Sequence, residues 1–155
     1  QDWPYVISVQ RNIGPMGLPL TKPPYRRITA IDLNTGEHVW QTPFGKGPSN
    51  HPLLEHLGLP DLGSVFTDVS AEGGILVTKG LVISHLPQKD EVHEDADGSV
   101  LVAYDKFTGE KVGEILVDRR LHGPVMSYLH NGRQYIAVAG GRFDSAEMIS
   151  FVLPN

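Results

Sequence analysis

The chain has 155 residues, with 13 Lys and Arg against 18 Asp and Glu for a net charge of −5. That balance, without any basic stripe interleaved with aromatics, argues against a nucleic-acid partner, and no apolar run approaches the ~18 residues of a membrane span. The absence of Cys excludes disulfides and thiolate metal sites and leaves the compartment open.

Gly and Pro, 17 and 12 in number, punctuate the chain every few residues and favour short strands and turns over helices. Gln1 opens no signal peptide, which a mature exported chain would have lost. Residues 1–25 are irregular. Gly14-Pro15-Met16-Gly17-Leu18-Pro19-Leu20 and Lys22-Pro23-Pro24 cannot sustain a sheet interior, so this stretch reads as a loop leading into the first unit. Residues 27–33 and 38–44 are two strands joined by a tight turn. Their sequence, Ala30-Ile31-Asp32-Leu33-Asn34-Thr35-Gly36-Glu37-His38-Val39-Trp40, returns as Ala103-Tyr104-Asp105-Lys106-Phe107-Thr108-Gly109-Glu110-Lys111-Val112-Gly113. Both copies read A-x-D-x-x-T-G-E. Gly36 and Gly109 supply the positive φ of the turn, and Asp32 and Asp105 can accept hydrogen bonds from its backbone N–H groups. Two such hairpins in one chain indicate a repeat architecture.

Residues 45–63 form a crossing longer than most connections in a compact domain, carrying Asn50, His51, Glu55 and His56, with at most two helical turns at 52–58. Four strands follow at 74–78, 81–84, 99–104 and 111–117, the first two joined by the turn Lys79-Gly80. Residues 88–98, acidic and poor in apolar groups, split the second from the third as a solvated loop. The last unit has strands at 124–130 and 134–139 around Asn131-Gly132, a strong hairpin signal, and a third at 147–153.

The repeated hairpin resembles the A-x-D-x-x-T-G-x-x-x-W signature of the pyrroloquinoline quinone (PQQ) dehydrogenases, eight-bladed β-propellers in which the final Trp docks between neighbouring blades. Lys22-Pro23-Pro24-Tyr25 before the first copy agrees with this. So does Asn131-Gly132-Arg133-Gln134-Tyr135-Ile136-Ala137-Val138-Ala139-Gly140-Gly141 near the end. Residues 17–153 are similar to the C-terminal part of the membrane-type glucose dehydrogenases of that family. The resemblance implies an all-β chain, a partial propeller of about two and a half four-stranded antiparallel blades. Residues 1–44 would give a loop and the outer strands of one blade, 64–117 a complete blade, and 123–155 three strands of the closing blade. In the family, the fourth strand of that blade comes from the N-terminal region. The implied partner is the remainder of the propeller, as another chain or as sequence beyond this one. Terminal blades with open apolar faces and edges would make the isolated chain heterogeneous or aggregating. One departure stands out: Gly113 occupies the Trp position of the second copy, so a docking contact is lost or replaced.

In the family, PQQ sits at the end of the propeller that here collects residues 44–73, 85–98, 118–123 and 139–147. Residues at the starts of inner strands point toward the axis. Asp68 and Ser70 precede one inner strand, Arg119, Arg120 and His122 another, and Arg142 follows Gly140-Gly141. PQQ carries three carboxylates and an ortho-quinone. Arg suits planar carboxylates, and a polar or cationic donor beside a quinone oxygen stabilises developing negative charge. Asp68, Ser70, Arg119, His122 and Arg142 are therefore the cofactor-binding candidates, while a solvated turn is the competing reading of Arg119-Arg120 and of Arg142. His85, His93, Glu94, Asp95 and Asp97 match neither an H-E-x-x-H helix nor an EF-hand loop, so a solvated acidic loop is preferred there to a metal site. Lys79 lies in a turn at the opposite end, away from chemistry. The family's catalytic Asp, Ca²⁺ ligands and most cofactor contacts belong to earlier blades, and no catalytic residue is assigned here.

The implied protein oxidises an alcohol or aldose by hydride transfer to PQQ, with Ca²⁺ polarising the quinone and an Asp as base. It would act in the periplasm or on the periplasmic side of a membrane, and this chain alone would be inactive. The competing class is a non-catalytic propeller that serves as a scaffold or assembly protein.

Overall fold

The computed structural model describes residues 14–65, 74–87, 98–141 and 145–152, and these are almost entirely strands and turns. Strands β1 (Arg27–Ile31) and β2 (His38–Pro43) form an antiparallel pair. Strands β3 (Leu76–Val77), β4 (Leu81–Pro87), β5 (Ser99–Asp105) and β6 (Lys111–Val117) form a four-stranded sheet. Strands β7 (Leu121–His130), β8 (Arg133–Gly140) and β9 (Glu147–Val152) form a three-stranded one. Each strand pairs antiparallel with its neighbour in sequence, so every sheet is a meander. Helix among the described residues is limited to single 3₁₀ turns at Pro15–Gly17, Gly47–Asn50 and Glu55–Leu57.

Strand side chains alternate between faces, and the middle sheet uses both of its faces. On one, Val82 and Leu86 of β4 with Val102 and Tyr104 of β5 pack against Ile28, Phe44 and Trp40 of the first unit. On the other, Ile83, Leu101 and Val117 pack against Leu121, Val125, Ile136 and Val138 of the third. A strand covered on both sides reads as a near-continuous apolar run, which is what residues 81–86 show. Three meander sheets stacked face to face, with one apolar core in each gap, are successive blades of a partial β-propeller. Burial pushes the Tyr104 hydroxyl up to about 12, with the nearby carboxylates of Asp61 and Glu114 adding to the effect. The phenol is neutral at physiological pH.

Strand β4 runs three residues beyond the sequence reading of 81–84, because His85, Leu86 and Pro87 continue the ladder opposite Leu101, Val100 and Ser99. The long crossing is likewise more ordered than its composition suggested. Ser64, Gly63 and Leu62 donate their N–H groups back to the carbonyls of Phe44, Gly45 and Lys46, and Tyr25 donates to Leu62. His51 ties the crossing to the preceding loop, its ring bonding the Met16 carbonyl at 3.1 Å and accepting from Leu53 N–H at 3.2 Å.

The two signature turns are near copies of each other. Asp32 Oδ1 accepts from Asn34 N–H at 2.8 Å, and Asp105 Oδ1 accepts from Phe107 and Thr108 N–H at 2.8 and 2.9 Å. Those backbone donors, Thr108 first, hold the Asp105 carboxyl below its usual range. Gly36 and Gly109 both have φ of 75°. Trp40 crosses from the first turn to the second, its Nε1–H donating to the Lys106 carbonyl at 2.8 Å. The indole lies so close over Gly109 that a Cβ there would sit 2.5 Å from Trp40 Cε3, whereas one on Gly36 would meet nothing within 4 Å. The same glycine in the same turn thus carries two different constraints. Gly36→Ala is expected to cost about 1 kcal/mol, the left-handed backbone strain alone. Gly109→Ala should cost about 2–4 kcal/mol because the indole must also move. Denaturant midpoints of the two variants in the intact protein check this, and equal losses would refute the steric part.

Gly113 pairs with Ala103 as Trp40 pairs with Ala30. A Cβ at Gly113 would meet nothing within 4 Å. No indole bridges the second gap among the described residues. That gap is closed by the apolar core around Leu121 and by polar contacts at one end of the sheets.

Candidate functional site

Antiparallel connectivity puts the β2–β3, β4–β5, β6–β7 and β8–β9 connections at the same end of their sheets, and the β3–β4 turn with Lys79 at the other. At the first end a row of paired residues, Leu121, Gly140 and Glu147, crosses the third sheet. The β6–β7 connection, residues 118–120, enters beside this row.

That entry is held on both sides. Leu121 N–H donates to Ser99 Oγ at 2.9 Å, and both residues are fully buried. Gly141 N–H donates to the Arg120 carbonyl at 2.9 Å. The His122 ring reaches the Gly141 carbonyl through Nε2 at 2.8 Å. From the neighbouring sheet, His85 reaches the Gly123 carbonyl through Nε2 at 2.9 Å. A carbonyl can only accept, so each Nε2 carries a proton. His85 is 1% exposed. Burial keeps its ring below the usual imidazole value, the bond to Gly123 pulls it back up, and His122 and Arg26 add to the lowering.

Of the five cofactor-binding candidates, Arg119 and His122 fall at this end together, while Asp68, Ser70 and Arg142 lie outside the described residues. Arg119 and His122 differ in depth. Arg119 is half exposed and bonds Glu147 of the third strand through Nε at 3.2 Å, and Asp118 through Nη1 at 3.2 Å. It therefore leans outward across the sheet. His122 belongs to the first strand of the third sheet and is half-buried. Arg120, beside them, is also half-buried. His93, Glu94, Asp95 and Asp97 lie outside the described residues, and no group of three His, Cys, Asp or Glu able to hold a metal occurs among the described ones.

Two residues that organise this end escaped the sequence reading. The sequence groups His85 with the acidic loop, yet it is interior to β4, and Ser99 serves as acceptor for the next blade. The signal was present as Ser84-His85 inside an otherwise apolar run. A polar group enclosed on both faces must find a partner there.

The sequence matches the glucose/ethanol/alcohol dehydrogenase β-propeller domain family of PQQ proteins over residues 1–136. Among curated relatives, a probable quinate dehydrogenase (quinone) of Xanthomonas campestris pv. juglandis is 29% identical over 98% of this chain and 19% of its own length. The glycerol dehydrogenase large subunit of Gluconobacter oxydans (strain 621H) is 31% identical over 90% of this chain and 18% of its own. The quinoprotein glucose dehydrogenase of Escherichia coli (strain K12) is 26% identical over 89% and 16%, respectively. The chain thus spans less than a fifth of the length of the relatives it matches. With its stacked blades and the Trp40 dock between signature turns, this chain belongs to the β-propeller family of the PQQ-dependent glucose, ethanol and alcohol dehydrogenases.

Proposed function

We propose that this chain is the C-terminal portion of a PQQ-dependent dehydrogenase oxidising an alcohol or aldose sugar, completing an eight-bladed propeller and lining part of the cofactor funnel. The observation that carries the reading is the Trp40 indole seated on the second signature turn, bonded to Lys106 and pressed on Gly109. It supports blade-to-blade docking of the family's kind, with further blades on either side. The relatives' names add substrate chemistry, since quinate, glycerol and glucose are all polyhydroxy compounds. On this reading the intact protein works in the periplasm or on the periplasmic side of a membrane.

The described residues fit PQQ in part. With its Nε2–H held by the Gly141 carbonyl, the half-buried His122 ring can meet an acidic ligand only through a protonated Nδ1. Arg119 already shares its charge between Asp118 and Glu147, so it suits the rim better than a carboxylate anchor. Asp68, Ser70 and Arg142 complete the proposed lining. When bound with Ca²⁺, PQQ supplies the two-electron acceptor; this chain supplies a wall that orients it and excludes water.

The test is PQQ titration of the intact protein with dye reduction by alcohols and aldoses. His122→Ala is expected to weaken PQQ binding about tenfold, equivalent to roughly 1.4 kcal/mol. Arg119→Ala should change it less than about twofold, because exposed ion pairs contribute little. An intact protein that binds no PQQ and oxidises no alcohol or aldose would sink the reading.

A further inference from the structure

We propose that His85 is a neutral imidazole tie between the second and third blades, and that its protonation loosens strand β7 from β4, making this end of the blade pair acid-labile. Strand β7 is irregular near its start. Its pairing with β8 shifts register between His122 and Met126, and Gly123 within the gap has φ of 69°. Leaving the ladder removes the Gly123 carbonyl from strand pairing, and a carbonyl inside a protein needs another donor. His85 provides one from the adjacent sheet through Nε2–H at 2.9 Å. The same short segment is fixed by Leu121 to Ser99, by His122 to Gly141 and by Gly141 to Arg120. Two of the four bonds, those to His85 and Ser99, reach across to the second sheet, beside the apolar contacts of Leu121 and Val125.

Only the neutral ring suits this place. With Nε2–H committed to Gly123, a second proton would go to Nδ1, which is buried and has no hydrogen-bond partner among the described residues. The charged or titratable groups bearing on the ring are His122 from β7 and Arg26 from the segment before β1, and both oppose a positive charge. No carboxylate among the described residues offsets them. The bond to Gly123 favours the imidazolium, but burial is the larger influence. An opened state, with the ring in water, binds a proton near the ordinary value of about 6.5. The opened state therefore binds more protons as pH falls through that value. The tie is at full strength above about pH 6.5 and weakens below it. This holds whether or not the same end of the sheets receives a cofactor.

Amide hydrogen exchange of the intact, cofactor-free protein at pH 7.5 and 5.5, corrected for intrinsic exchange, tests the tie. The Leu121 and Gly141 amides should exchange on the order of tenfold faster at pH 5.5, while Leu101 in the middle of β5 stays unchanged. His85→Gln keeps a neutral donor of similar reach and should abolish the pH difference. Uniform exchange across the second and third blades at both pH values would overturn the proposal, as would a His85→Gln protein that keeps the acid response. If the Gln variant does not fold, the unmodified protein still decides, because local acid opening at Leu121 and Gly141 either appears or does not.

Discussion

Trp40→Ala is expected to destabilise the intact protein by about 3 kcal/mol, within the range for deleting a large aromatic from a packed site. The loss has two physical parts. The indole face lies against the backbone of the second signature turn at Gly109, and its Nε1–H satisfies the Lys106 carbonyl at 2.8 Å. Trp40→Phe separates them by keeping much of the ring contact while removing the donor, so about 1 kcal/mol of loss should remain for a net hydrogen bond. A second comparison is sharper. In a Trp40→Ala background, Gly109→Ala should lose its steric penalty and fall to the roughly 1 kcal/mol of backbone strain expected at Gly36. Denaturant unfolding of the four proteins gives the coupling directly. A Trp40→Ala loss below about 0.5 kcal/mol, or strictly additive effects, would mean that the indole is an ornament of the turn and not the joint between blades.

That joint was legible in the sequence because its parts are local. A-x-D-x-x-T-G places an acceptor, a turn glycine and a departing strand within one hairpin, and the repeat of that pattern announces two equivalent units. Short strands between Gly and Pro punctuation were equally readable, as the match between the 111–117 reading and Lys111–Val117 illustrates. What escaped depends on partners far along the chain. Glu147, which draws Arg119 outward, is 28 residues away from it. Gly123, which engages His85, is 38 residues from that ring. No local pattern of charge or period encodes such pairings. The same limit explains β4, where a histidine three residues before a polar run looks like the start of a loop until the facing strand supplies Leu101 as its pair. Gly113 is the converse case. Its departure from the signature was visible, but only the fold shows that the second gap is closed by Leu121 and its neighbours without an indole.

Leu121 accordingly carries a load in the second gap comparable to that of Trp40 in the first. It is fully buried, and it packs with Ile83, Leu101 and Val117 of the second sheet and with Val125, Ile136 and Val138 of the third. Leu121→Ala is expected to cost about 3–4 kcal/mol, because removed methyl groups leave a cavity between two sheets whose backbones are fixed by their own ladders. Leu121→Met, which nearly conserves volume, should cost less than about 1.5 kcal/mol. Ser99→Ala probes the same residue from its backbone: the Leu121 N–H would remain buried without its 2.9 Å acceptor, a loss of about 1–3 kcal/mol. Thermal and denaturant unfolding of the intact protein rank the three. If Leu121→Ala proves no worse than Leu121→Met, the second gap is able to collapse around the vacancy. The contacts from His85 and Ser99, rather than apolar packing, would then be what keeps the third blade in place.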